Sequence, residues 1–418
     1  MQNQAHIENV LLIVLLQLIV IIGAARIFGW IFRRIGQPQV CGEIAAGLIL
    51  GPSFFGRFFP DFSKAVFDPS VGPIFSIVSQ IGLVFLMFLI GMEFEFGHLK
   101  QNRKAALSVS FAGILLPFSL GVWLGYYLHA QLALPGERLY FALFMATAMS
   151  ITAIPILGRI LIELKLNRSL IGSLTITAAA IDDAVGWILL ALITAITQSK
   201  FDPWTFGRMV AGVIGFGGFM LFIVRPRAIR WIRATLDREG GVLSLNSLAI
   251  VLIAVFACAI ITNLIGIFSI FGAFMLGSIL YDQTDFVAAV RARLTDFVTV
   301  FFLPIFFTYT GLRTDIGSMT GVDLWILCGL VLLAATVGKL GGCTLAARWN
   351  GLSWNDSALI GVMMNTRALM ELIVINIGFE LGIIPKSVFF MLVFMAIFTT
   401  YMTAPVMRAI APRLRASA

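Results

Sequence analysis

A chain of 418 residues that is 60% hydrophobic and only 12% charged lacks the polar surface of a soluble protein of that size. Its mean hydropathy of +0.99 and its recurring apolar runs of about 20 residues indicate an all-α polytopic membrane protein. The net charge of +8 sits in short loops between those runs, where it orients a membrane protein, so no nucleic-acid partner is expected; a β-barrel would show shorter, alternating segments.

Thirteen spans are predicted in chain order, at about 8–32, 37–54, 73–95, 104–129, 138–162, 169–198, 205–232, 244–262, 264–281, 295–312, 323–347, 356–380 and 386–410. The second, ninth and tenth are short or glycine-rich. Together they make one transmembrane domain over about 1–412, followed by a short cytoplasmic tail at 413–418. With the N-terminus outside, twenty of the 29 Lys and Arg residues fall on the cytoplasmic side and about six on the exterior, which supports the odd number of spans. Glu8 is the only charge before Arg26, so no basic secretory leader is expected. Cys41, Cys258, Cys328 and Cys343 lie in or beside apolar segments and read as small core residues rather than disulfide or metal ligands.

Segments 4–6 and 11–13 are offset by seven and would run in opposite directions, the pattern of an inverted repeat. Segment 5, FALFMATAMSITAIPILGRIL, and segment 12, ALIGVMMNTRALMELIVINIG, are each interrupted midway by polar residues. Paired broken helices in corresponding halves mark an ion or substrate site near the bilayer midplane.

Segment 6 contains AAAIDDAVGWILL, in which Asp182 and Asp183 are the only charges between Arg168 and Lys200. On one helix they would lie roughly 20–25 Å from either end charge. Each buried aspartate costs roughly 2.5–3.5 kcal/mol to insert, so a pair without a role is disfavoured against a functional one. Neighbours on a helix point about 100° apart, so one carboxylate can face a cavity while the other turns toward another helix. A desolvated carboxylate beside a like charge can hold a proton or a cation, but not both together. An intramembrane aspartyl protease would need its two acids to face one water from different elements, which adjacent residues do not do, and no enzyme activity is expected.

In segment 11, Lys339 is the only charge between Asp323 and Arg348, about 13 Å from the end of its span. Snorkelling from that depth would be strained, and pairing with one of the aspartates is favoured. Arg367 and Glu371 in segment 12 are spaced i,i+4 and can pair on one face, either to hold the broken helix together or to meet an ion. Thr147, Ser150 and Thr152 in segment 5, with Asn365 and Thr366 in segment 12, supply neutral oxygens near the interruptions. Hydroxyls in membrane helices commonly bond their own backbone, but beside a helix break they suit a small hard cation. Glu43, Glu93 and Glu95 lie near span ends and read as packing or interface residues. His6, His98 and His129 are scattered, with no metal cluster among them.

The stretches GEIAAGLILGPS, FLMFLIGMEFE, SITAIPILGRIL, AAAIDDAVGWILLAL and MNTRALMELIVINIG, in this order, resemble the monovalent-cation branch of the cation:proton antiporter superfamily. The last is similar to plant cation/proton exchangers. The resemblance implies a homodimer with a scaffold of helices at about 8–95 and 205–312, and a mobile core at about 104–198 and 323–410. The core would hold two crossed, partly unwound helices, here segments 5 and 12. In relatives with adjacent acids the second binds the ion, which assigns that role to Asp183; the first pairs with a lysine, which maps to Asp182 and Lys339. Plant exchangers usually carry asparagine where Asp182 stands, so this chain mixes features of two subgroups. Many relatives also carry a long cytoplasmic regulatory domain, and gating through one is not expected here.

The resemblance therefore implies exchange of Na⁺ or K⁺ for H⁺ in a bacterial plasma membrane, with Na⁺ favoured, an electrogenic cycle, no cofactor, and only ions, lipid and a second copy as partners. K⁺/H⁺ exchange for potassium and pH homeostasis is the leading alternative. A cation channel would need a continuous polar pore, whereas the sequence offers a local polar pocket.

Overall fold

A computed structural model of the chain describes residues 2–67, 71–93, 103–152, 157, 161, 169–198, 203–239, 243–367 and 369–415; some side chains within helices, including those of Glu93 and Asp183, lie outside this description. Among the described residues the structure is helical, with no strand. The helices are α1 Gln2–Arg34, α2 Gln39–Leu50, α3 Phe55–Phe58, α4 Pro60–Val66, α5 Gly72–Glu93, α6 Arg103–Gln131 and α7 Arg138–Ser150. After them come α8 Leu170–Gln198, α9 Pro203–Phe219, α10 Arg225–Glu239, α11 Leu245–Ile265, α12 Ser269–Ser278 and α13 Thr284–Phe297. The chain continues with α14 Leu303–Arg313, α15 Val322–Thr336, α16 Gly342–Trp349, α17 Trp354–Met364, α18 Leu369–Glu380 and α19 Lys386–Arg415.

Twelve of the thirteen expected segments coincide with one of these helices or with a run of them, and α7 covers the first half of segment 5. Among the described residues, seven helical stretches are long and apolar enough to cross a membrane, and Leu170–Ala179 and Ser269–Ser278 are shorter apolar pieces. Three long segments pass through a π-helical turn, at Met220–Val224, Val298–Phe302 and Val337–Gly341. These turns join α9 to α10, α13 to α14 and α15 to α16 into continuous rods. The second half of segment 5, beyond Thr152, lies almost wholly outside the described residues, as do Glu95 and His98.

Contacts divide the chain into two compact units. The first comprises residues 1–23, 65–96 and 194–309. Its tightest crossing joins α5 to α12 through two glycines. A Cβ on Gly91 would lie 3.1 Å from the Cα of Gly277, and one on Gly277 would lie 2.9 Å from the backbone nitrogen of Met92. Small residues are what allow helices to meet at this distance in lipid, where helix–helix packing has no water to exclude. Tyr309 donates to the carbonyl of Gly72 at 3.0 Å, and Arg225 pairs with Asp282 at 2.7 Å. Outward-facing Ile214, Phe222, Ile253 and Leu264 are large, apolar and exposed, as a hydrocarbon-facing surface requires.

The second unit comprises 24–64, 97–193 and 310–418. Its core is the run 141–150 of α7 together with α17 and α18, whose residues are buried nearly all round, the signature of a helix enclosed by other helices. Residues 24–64 cluster with 97–193 and 310–418. The cause is again close backbone approach. A Cβ on Gly42 would lie 2.8 Å from the nitrogen of Gly29, and one on Gly311 would lie 2.7 Å from the Cα of Gly47. Ser53 then accepts from the amide of Ile316 at 2.7 Å. The cysteines Cys41, Cys258, Cys328 and Cys343 are free and buried.

The α5–α12 crossing gives a direct test. Gly277→Val adds atoms where backbone already stands and should destabilise the protein by about 1–3 kcal/mol. Thermal melts of purified protein would show a lower midpoint; an unchanged midpoint would refute the close approach.

Candidate functional site

The site is built where two helices stop. α7 ends at Ser150, after which Ile151 is extended, with φ −80° and ψ 145°. α17 ends at Met364, and the chain resumes as a helix only at Leu369. The two interruptions meet: Thr152 Oγ1 lies 3.2 Å from the carbonyl oxygen of Met364. Both are the breaks expected from segments 5 and 12.

A helix that ends inside an apolar core leaves its last carbonyls without partners. Two cations meet those of α7. Arg367, fully buried in the gap between α17 and α18, donates to the carbonyls of Ala148 at 3.3 Å and Met149 at 2.8 Å, and to that of Ala335 in α15 at 3.3 Å. Lys339 donates to the carbonyl of Ser150 at 2.5 Å. Positive charge at a helix C-terminus is also favoured by the aligned peptide dipoles.

Each cation has an acid. Arg367 Nη1 lies 3.4 Å from Glu371 Oε1, the expected i,i+4 pair, and both side chains are fully buried. Lys339 Nζ lies 2.5 Å from Asp182 Oδ2, again with both side chains wholly buried. Lys339 is therefore not snorkelling. It occupies the π-helical turn Val337–Gly341, a type of irregularity that recurs at functional sites. Asp182 accepts two further hydrogen bonds, from Ser110 Oγ to Oδ1 at 2.5 Å and from Thr152 Oγ1 to Oδ2 at 3.0 Å.

The remaining candidate residues fall differently. Thr147 bonds the carbonyl of Leu143 at 3.0 Å and Ser150 that of Ala146 at 2.7 Å, with the carbonyl of Ile114 in α6 a longer second partner of Ser150 at 3.3 Å. Ser150 meets Lys339 through its carbonyl. Thr366 meets Thr403 of α19 at 3.3 Å, and Thr400 accepts from the amide of Arg367 at 3.3 Å. Among the described residues, both amide atoms of Asn365 are buried at the break without a partner, as are Glu371 Oε2 and Arg367 Nε. Such orphaned groups suit a bound water or ion. Asp183 lies on α8 next to Asp182, and its side chain is outside the described residues. Glu43 is buried on α2 and accepts from Gln39 at 2.7 Å. Among the described residues no group of three or more His, Cys, Asp or Glu side chains forms a metal cluster.

Sequence reasoning missed Ser110, Gly113, Thr400 and Thr403. The first two carry no charge and sit in the apolar run ALSVSFAGILL. A Cβ on Gly113 would lie 3.8 Å from both Lys339 Nζ and Asp182 Oδ2, so α6 passes beside the ion pair.

Broken helices that meet around buried, paired charges are the architecture of a membrane transport protein rather than of a bundle held by packing alone. Residues 20–409 match the family described as sodium/hydrogen exchanger, transmembrane, and the chain belongs to that family. It is 40% identical to the Na(+)/H(+) antiporter NhaS4 of Synechocystis sp., over 97% of this chain and 98% of that one. It is 36% identical to Cation/H(+) antiporter 17 of Arabidopsis thaliana over 98% of its length, but spans only 50% of that plant relative. Among solved structures it is similar to the sodium proton antiporter MjNhaP1 from Methanocaldococcus jannaschii at pH 8, with a TM-score of 0.63, 15% identity, and coverage of 99% and 98% of the two chains. That likeness establishes the fold. The protein is an integral membrane protein of this family.

Removing Lys339 tests the pair. Lys339→Ala leaves Asp182 buried with hydroxyl partners only and should cost about 3–5 kcal/mol. Adding Asp182→Asn in the same chain should recover part of that loss in a thermal melt, whereas additive losses would mean that the two groups are not coupled.

Proposed function

We propose that this protein is a secondary antiporter that exchanges a monovalent cation, Na⁺ in preference to K⁺, for H⁺ by alternating access, and that it is not an enzyme. The observation that carries this reading is the fully buried Asp182–Lys339 pair at the meeting point of the two helix breaks, in a chain whose relatives are named as cation/proton antiporters. A buried ion pair is expensive unless it is used, and one that can open gives a cation a place to enter.

On this reading Asp183 binds either the cation or a proton. Asp182 exchanges its bond to Lys339 for contact with the cation, aided by Thr152, while the carbonyl of Ser150 retains the lysine. Asn365, whose amide atoms have no partner among the described residues, adds a neutral oxygen. Arg367 and Glu371 hold the break in α17–α18 and do not move with the ion. The cycle is electrogenic, and the core helices move past a scaffold shared by two copies. The membrane is a bacterial plasma membrane, with the N-terminus outside.

Proton flux in proteoliposomes, with Na⁺, K⁺ or Li⁺ added in turn and with or without an imposed voltage, tests the proposal. Cation-triggered proton release is expected, strongest with Na⁺ and dependent on voltage. A stronger response to K⁺ would favour the potassium-homeostasis reading, and channel-sized currents would overturn antiport altogether. Asp183→Asn should abolish exchange in the same assay, and full retained exchange would remove Asp183 from its role. In Lys339→Ala the charge moved per cycle should change; an unchanged stoichiometry would confine Lys339 to structure.

A further inference from the structure

α6 contributes no charge to the site, yet it forms the wall against which the ion pair rests. Its inner face meets the π-helical turn and the first residues of α16 at successive turns. Cys343 Sγ lies 3.6 Å from the carbonyl of Val109, a Cβ on Gly342 would come 2.8 Å from the carbonyl of Ala112, and one on Gly338 would come 3.0 Å from the Cα of Pro117. Gly113 completes this face: a methyl there would be 2.5 Å from Cys343 Sγ as well as 3.8 Å from each member of the pair.

Hydroxyls in this protein have a default partner. Ser119, Thr147, Ser150, Thr175, Thr177, Thr314, Thr399, Thr400 and Thr403 all donate to the carbonyl four residues back in their own helix. Ser110, although within α6, gives its proton instead to Asp182 Oδ1, 72 residues away. It donates to that oxygen, whereas Lys339 and Thr152 share Oδ2.

We infer that Ser110 is a positioning residue for cation exchange, keeping Asp182 ionised and aimed while its other oxygen changes partner from Lys339 to the cation. The inference rests on the proposed antiport at Asp182. A carboxylate leaving an ammonium in an apolar core needs another donor during the change, and a hydrogen bond to a charged group is about twice as strong as a neutral one. Ser110 can remain bonded throughout because it comes from α6, outside both broken helices. Its other side lines a groove of about 380 Å³ between α6 and α8, walled by Leu107, Phe111, Ile114, Ile181 and Val185.

The test combines transport kinetics with a measurement that needs no transport. At fixed pH, Ser110→Ala should raise the half-saturating cation concentration about tenfold while the maximal rate stays within about twofold. Ser110→Thr, which restores the hydroxyl, should return half-saturation close to the unaltered value. A fall in maximal rate at unchanged half-saturation, or a folded Ser110→Thr that behaves like Ser110→Ala, would overturn the inference. In the cation-free protein, the carboxylate stretch assigned to Asp182 by its loss in Asp182→Asn should shift in Ser110→Ala. An unshifted band would also overturn it. If the unaltered protein exchanged no cation while this band still shifted, the antiport reading would fail and the hydrogen bond would stand.

Discussion

Three carbonyl groups organise this site. Those of Ala148, Met149 and Ser150 end a helix in the middle of a membrane protein, where an unsatisfied backbone group costs several kcal/mol and no bulk water is at hand. Arg367 and Lys339 bond them, and each buried cation then requires an anion. Glu371 answers the first and Asp182 the second. Asp182 in turn requires donors for the rest of its lone pairs, and Ser110 and Thr152 provide them. The broken helix thus dictates the charges, and the charges dictate the hydroxyls.

The two cations and two acids at the crossing balance, before Asp183 is counted. A balanced buried cluster resists any added charge, so on the proposed reading a cation can enter only if a proton leaves or a bond within the cluster opens. The two pairs divide this work by geometry. The guanidinium of Arg367 is tied to three carbonyls and an acid across three helices, which makes it a rivet. Lys339 has a carbonyl and one acid on a π-helical turn with glycines on either side. An ammonium on a flexible stem is the more easily displaced of the two.

Much of this was legible in the sequence because charge inside apolar sequence is conspicuous. Asp182, Lys339, Arg367 and Glu371 could be picked out by eye, and the i,i+4 spacing of the last two fixed their pairing. The interruptions in segments 5 and 12 were visible as polar residues within apolar runs. What stayed hidden was the direction of neutral groups. Nothing in MATAMSIT tells that Thr152 reaches an acid while Thr147 and Ser150 turn back on their own helix, because that depends on where the helix stops. Ser110 and Gly113 were invisible for the same reason: their importance comes from what lies opposite.

The cysteines have a practical consequence. All four thiols are free and enclosed, away from the exposed faces, where a water-soluble maleimide would have to find them. The natural chain therefore offers a nearly silent background for labelling. A single cysteine introduced at an exposed position such as Trp204 or Trp349 would carry a spin or fluorescent probe without first stripping the native ones from their helix contacts. Each such probe would report on its own unit in the protein as nature made it, with the tight seat of Cys343 against α6 left undisturbed.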